Sequence, residues 1–175
     1  MILDVEPTTV TGRWWRHVPA GADPLRRPSP PADNRWQRGS IVDAAYLAED
    51  EACVWAEWYR HLAEAAIPPA RALPRDLWCY QVTELQVADL SDAARLTRVG
   101  LSVPRPGRRG WRPYQAVGEQ LHLDGRRGLI APSAARPASL VLAVFISTGA
   151  LPDDVVPIAS TQVADVPVPP TDMRT

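Results

Sequence analysis

Residues 41–48, Ile41-Val42-Asp43-Ala44-Ala45-Tyr46-Leu47-Ala48, form a mostly apolar run, and Asp50-Glu51 then opens a stretch of different period. The first run suits a strand buried on both faces. In the second, Val54, Trp55, Trp58, Leu62, Ala65 and Ala66 recur at helical spacing until Pro68-Pro69 stops them. Asp50 is the expected N-cap, and Glu51 suits the positive end of the helix dipole. Glu57 stands about 200° around this helix from Trp55, on the side of Cys53 and His61 and off the main apolar stripe.

Working outward, residues 77–88 alternate and carry strand formers, so they read as a strand of a central sheet. Ser91 is the expected cap of a short helix through Arg98, and 101–112 is a Pro/Gly/Arg loop. A helix over 112–123 ends at Gly125, and 128–133 and 139–147 read as two further strands. Upstream, a short strand at 13–18 feeds a loop at 19–34 that holds five Pro. The stretch from 148 also holds five Pro and no aromatic residue, so it is expected to be extended or partly disordered. The expected layout is a lead-in at 1–12, one domain at 13–147 and a Pro-rich tail at 148–175. A length of 175 residues suits one domain with a single core, and a hydrophobic fraction of 46% with seven Trp argues against disorder across most of it.

The 19 basic residues are all Arg, so any cation the protein needs is a guanidinium, suited to forked bonds with phosphate or carboxylate. A formal net charge of −1 argues against a nucleic-acid binder working through an overall basic field. Residues 101–150 nevertheless hold seven Arg against two acids. Such a segment is either a site for a small anion or a solvated loop. Cys53 and Cys79 fit neither a zinc spacing nor a redox pair, and read as buried free thiols in a reducing compartment. The acidic N-terminus lacks a signal-peptide start, and the longest apolar stretch, near 138–146, is about nine residues, too short for a bilayer. The expectation is a soluble, cytoplasmic protein without membrane contact.

Several chemistries lack their motifs: there is no GxGxxG after a strand, no GxxxxGK[ST], no HExxH, no CxxC and no GxSxG. His17, His61 and His122 are isolated, and no metal site is expected. An ordered series does stand out. Arg35-Trp36 is followed by Tyr46 eleven positions after the Arg, and Glu57 follows eleven after the Tyr. Trp15-Arg16-His17 precedes them, while Tyr114-Gln115-Ala116-Val117-Gly118 and Gly128-Leu129-Ile130-Ala131-Pro132-Ser133-Ala134-Ala135-Arg136 come after. Over residues 13–147 this series resembles the RES domain family, named for its Arg, Glu and Ser. The Pro-rich entry loop departs from the family pattern, as does His17 where an aromatic is often seen.

The resemblance implies an ADP-ribosyltransferase-like α+β fold, a mixed sheet core with flanking helices in a single domain. It implies destruction of NAD⁺ at the nicotinamide–ribose bond, with inorganic phosphate or water as acceptor. It also implies a toxin whose cognate antitoxin, an Xre-like DNA-binding protein, covers the active site. NAD⁺ would be substrate, with phosphate as co-substrate and no cofactor or metal. Homo-oligomerisation stays open, and no direct nucleic-acid contact is implied. Under this reading the catalytic set is Glu57, Arg35 and Tyr46, with Arg16, Arg35, Tyr46 and Ser133 binding substrate. Glu57 would stabilise an oxocarbenium-like ribose. Arg16 and Arg35 would hold the pyrophosphate or an attacking phosphate. Tyr46 would set its ring against nicotinamide and its hydroxyl near the ribose. Ser133 would bond a phosphate or orient Arg or Glu. The plainer readings are a solvated helix Glu, Arg packed beside Trp, a core Tyr and a turn Ser. Nicotinamide leaves as a neutral molecule, so neither a general acid nor a metal is required. Transfer of ADP-ribose to a protein and a non-catalytic nucleotide- or partner-binding module are the alternatives.

Overall fold

The computed structural model describes residues 3–147 and 149–174. Met1, Ile2, Thr148 and Thr175, which belong to the expected lead-in and tail, lie outside the described residues. The strands are β1 (Pro7–Pro19), β2 (Ala44–Ala48), β3 (Arg75–Asp89), β4 (Gly128–Pro132), β5 (Leu140–Phe145) and β6 (Val155–Val163). The helices are α1 (Glu51–Glu64), α2 (Ala93–Arg98) and α3 (Trp111–Leu123). They make the expected single α+β domain around one mixed six-stranded sheet of order β1-β2-β5-β4-β3-β6. A further pairing of β1 with β3 closes the first five strands into a ring, and β6 lies outside it as an edge.

All strand pairs are antiparallel except β3–β4, where Ala88 meets Leu129 and Asp89 meets Ile130 in parallel. A parallel pair cannot be joined by a hairpin, so the chain must cross over between these strands. Residues 90–127 are that crossover and carry α2, the basic loop and α3. One apolar cluster fills the ring with side chains from all six strands, Trp14, Tyr80, Ile130 and Val144 among them. A second lies under α2 and α3, and a third seats α1 on the sheet through Val54, Trp55, Trp58 and Leu62.

The differences from expectation have local causes. β1 begins at Pro7, inside the expected lead-in, because Thr8–Val10 pair with Gln86–Val87 and Leu85 across a bulge that ends at Gly12 (φ 126°). The expected tail supplies β6, paired with β3 from Arg75 to Val82. Residues 156 to 162 of β6 are mostly exposed, so no apolar period marks them, and Pro157 is tolerated because the strand is an edge. The domain therefore extends past both 13 and 147. Helix α1 ends at Glu64 rather than Ala66: Ala66 turns left-handed (φ 53°), and Ile67 N–H reaches back to the Leu62 carbonyl at 2.9 Å. Asp92, not Ser91, caps α2 by accepting from Arg95 N–H at 2.8 Å, while the Ser91 hydroxyl turns back to Asp89. Both Cys are free thiols, with Cys53 buried and Cys79 only partly so.

Helix α3 fixes the turn that carries Arg35. An ideal Cβ on Gly118 would stand 2.0 Å from the Trp36 carbonyl oxygen, so the helix backbone rests directly on that turn. Trp36 is 1% exposed and meets Tyr114 edge-on at 5.2 Å. Gln115 donates to the Asn34 and Gln37 carbonyls at 3.0 and 3.2 Å. Gly118→Ala should force helix and turn apart and cost about 1–3 kcal/mol, lowering Tm by about 2–4 °C per kcal/mol. Thermal unfolding of the variant checks this, and an unchanged Tm would refute the close approach.

Candidate active site

Two structural devices aim Glu57. Asp50 caps α1 by accepting from Cys53 N–H at 2.6 Å, and Trp55 and Trp58 anchor the helix on the sheet, leaving Glu57 on the opposite flank. At the end of β4 the chain turns through Ser133–Ser139, closed by Ser133 N–H to the Ser139 carbonyl at 2.9 Å. Ser133 is 0% exposed. Its oxygen accepts from Ala135 and Arg136 N–H at 3.2 and 3.0 Å, so its one proton goes to Glu57 Oε1 at 2.6 Å. Ser133 thus orients the carboxylate and does not face the cleft as a phosphate ligand.

Ala135 N–H also approaches Oε1, at 3.3 Å, and Arg60 Nε donates to Oε2 at 2.8 Å. Arg60 continues to Glu64 at 2.5 Å, and Glu64 accepts Gly107 N–H at 3.0 Å, which ties the basic loop to α1. Burial opposes ionisation of Glu57. The Arg60 charge, the Ser133 hydroxyl, the Arg60 hydrogen bond and the Ala135 amide outweigh it, and hold the carboxyl below the usual carboxylate range.

Glu57 opens into a cleft of about 920 Å³ walled by β1, β2, α1, the 26–34 loop and the start of α3. Arg16, Arg26, Arg27, Arg60, Arg75, Arg108 and Arg112 all line it. Arg27 is paired with Asp43 at 2.7 Å. Among the described residues, Arg16, Arg26, Arg75 and Arg112 pair with no carboxylate. Arg16 donates to the Arg26 carbonyl at 2.6 Å, while its buried Nε has no partner. Burial lowers its pKa, and among the described residues no carboxylate pairs with it.

His17 stacks on Trp55 at 5.9 Å and accepts from Arg75 through Nδ1 at 2.7 Å, which leaves the ring proton on Nε2. Burial, then the charges of Arg75, Arg16 and His61, push its pKa down to about 3. It is a neutral wall residue at physiological pH. The Tyr46 hydroxyl accepts from Trp36 N–H at 3.3 Å and keeps its own proton to donate, and burial raises its pKa.

Of the residues expected to form the site, Arg16, Tyr46 and Glu57 line one cleft, and Ser133 stands directly behind Glu57. Arg35 departs from expectation. It is 8% exposed and does not line the cleft: its guanidinium donates to the Arg105 carbonyl at 2.6 Å and lies 5.3 Å over the Tyr114 ring. In this structure it tethers the basic loop. Arg60 and Arg75 were not expected. The Glu57, Arg60, Glu64 spacing of three and four is a helix-face pattern visible in the sequence. Arg75 has no local signal, since it reaches His17 only through the β1–β3 register that sets Pro19 beside it. Among the described residues no cluster of three His, Cys, Asp or Glu could hold a metal, and no helix is long and apolar enough to cross a membrane.

Fold and site together define an α+β domain with one held carboxylate at the foot of an arginine-walled cleft. The sequence profile of the RES domain matches residues 13–169, and the chain belongs to the RES domain family. Among solved structures it is similar to a chain of the M. tuberculosis MbcT–MbcA toxin–antitoxin complex, with a TM-score of 0.79 and 22% identity over 90% of this chain and 87% of that one. No curated protein sequence matches significantly.

Because Glu57 has a depressed pKa in the fold, its stabilising contribution is present above its ordinary value of 4.5 and is lost as pH falls through the folded value. Arg60→Ala removes a chief cause of that depression. The variant should lose about 1–3 kcal/mol at pH 7, with the gap to wild type closing below about pH 4. Thermal unfolding across pH 3–8 measures it, and a gap independent of pH would refute the assignment.

Proposed function

We infer that the protein cleaves the nicotinamide–ribose bond of NAD⁺, with phosphate or water as acceptor. The observation that carries this reading is Glu57, kept ionised by Ser133, Ala135 and Arg60 at the foot of a cleft lined by seven Arg, four of which pair with no carboxylate among the described residues. Family membership supports it, since RES proteins resemble ADP-ribosyltransferases and degrade NAD⁺. The cleft volume of about 920 Å³ falls within the range of about 300–1,000 Å³ usual for ligand pockets.

The pyrophosphate lies against Arg16 and Arg75, where two guanidiniums have no carboxylate of their own. Tyr46 meets the nicotinamide riboside with its ring and donates its remaining proton to a ribose oxygen. The C–N bond breaks with its electron pair leaving on nicotinamide, whose ring nitrogen becomes neutral, so no proton need be delivered. Positive charge develops on the ribose, and Glu57 stabilises it from a fixed position. A phosphate oxygen then bonds to the ribose carbon to give ADP-ribose 1″-phosphate. Water attacking the same carbon gives ADP-ribose and releases one proton.

The protein acts as the toxin of a toxin–antitoxin pair, and an Xre-like antitoxin covers the cleft. Support comes from the family and from the neighbour's identity as part of a toxin–antitoxin complex. Purified protein should release nicotinamide from NAD⁺, and Glu57→Gln should lower kcat by about a hundredfold or more. Dependence on added phosphate distinguishes phosphorolysis from hydrolysis. A mass increase of one ADP-ribose on a protein target would instead indicate protein modification. No release by folded protein free of any partner would leave a binding module.

A further inference from the structure

We propose that the C-terminal segment, through Asp172 and the Arg174 amide, is a latch that seats the Ser133–Arg136 turn against Glu57, making Asp172 and Arg136 positioning residues. This rests on Glu57 being the working carboxylate of the reaction inferred above. After β6 the chain runs back over α1, where the Tyr59 hydroxyl donates to the Pro167 carbonyl at 2.5 Å. It then reaches the turn that follows β4. Asp172 Oδ1 accepts from Arg136 Nε at 2.9 Å, and Arg174 N–H donates to the Ala135 carbonyl at 2.6 Å.

These two contacts fall on the residues that hold the site. Ala135 offers its N–H to Glu57 and its carbonyl to Arg174. Arg136 offers its N–H to the Ser133 oxygen, its Nε to Asp172, and its NH1 to Asp50 and Ser139 at 2.9 and 2.6 Å. One guanidinium therefore joins the cap of α1, the turn behind the carboxylate and the C-terminal segment. Without the latch, the hydrogen bonds left to Ala135 among the described residues are those of its N–H to the Ser133 oxygen and to Glu57. Neither Asp172 nor Arg174 falls within residues 13–169, the span of the family match.

The latch is two contacts: the Arg136–Asp172 pair near the surface, with side chains 22% and 48% exposed, and the Arg174 bond to the carbonyl of the buried Ala135. Removing them should leave the fold intact. Among the described residues, the charged groups acting on Glu57 from nearby, Arg60 on α1 and Arg35 beside α3, make no hydrogen bond to Asp172 or Arg174 and would be unaltered.

The test compares wild type, Asp172→Ala, Arg174→Pro, which removes the donor N–H together with the side chain, Arg174→Ala, which removes the side chain and keeps the N–H, and the double variant of Asp172→Ala with Arg174→Pro. Asp172→Ala and Arg174→Pro should each lower kcat for nicotinamide release about threefold to fivefold, and the double about tenfold, with KM for NAD⁺ within about twofold, while Arg174→Ala should not lower it. Asp172→Glu should restore most of the activity. The acid limb of the pH–rate profile should move to higher pH in the double variant, because Glu57 loses well-placed donors and its pKa rises. Tm should stay within about 2 °C of wild type. A kcat within twofold of wild type, or a loss of kcat that merely tracks a fall in Tm, would overturn the proposal. The ¹³C titration of Glu57 reads the latch without substrate. An upward shift in the double variant supports it even if wild type proves inactive on NAD⁺, and an unmoved titration overturns it.

Discussion

A carboxylate taken most of the way out of water must be met by donors, and the architecture around Glu57 follows from that requirement. Its side chain is 24% exposed, and burial alone would favour the protonated form. Three donors reverse that preference, and they come from two separate parts of the chain. Arg60 arrives from the same helix one turn on, whereas Ser133 and Ala135 arrive from the turn after β4. The donors converge only if α1 is seated by Trp55 and Trp58 and β4 is held between its neighbours β3 and β5. Displacing either element would leave a charge poorly solvated by protein and by water alike, so site geometry and fold stability are coupled at this point.

The cleft divides its guanidiniums into two kinds. Arg27 and Arg60 face carboxylates and hold the walls in place. Arg16 and Arg75 have no such partner; burial lowers the pKa of both, and the Arg16 charge lowers that of Arg75 further. A chain without Lys makes this arrangement directional, because every cation carries a planar fork whose orientation is set by its neighbours. The parallel pairing of β3 with β4 adds a topological element. It requires a crossover, and this crossover brings the 105–112 segment to the cleft, where Arg35 and Glu64 tether it.

How much of this was legible in the sequence depended on whether the signal was local. Helix α1, its Asp50 cap and the off-stripe placement of Glu57 follow from the 3.6-residue period, and the structure retains them. Arg60 was equally local, three residues from Glu57, but a salt-bridge pattern on a helix face is common enough that spacing alone did not single it out. β6 was not legible, because an edge strand exposed along most of its length has no apolar alternation and is held by backbone bonds to β3. Arg35 illustrates a different limit. Its neighbourhood in sequence marks it as special, yet its direction depends on α3 pressing Gly118 against Trp36 and on the loop carbonyl of Arg105 coming within reach.

The sequence by itself determined the α+β class, the helix that presents Glu57, the Arg-only supply of positive charge and the ordered series that marks the family. The helix is encoded within a few residues, the Arg supply in composition, and the family series in the order and spacing of short motifs along the chain. Only the tertiary structure decided that Ser133 gives its proton to Glu57, that Arg35 turns away from the cleft, that Arg75 pins His17, and that the C-terminal segment returns to Ala135 and Arg136. Each of those is a hydrogen bond between residues 36 to 76 positions apart. Closing such distances depends on sheet register and crossover path, to which no local pattern of residues is sensitive.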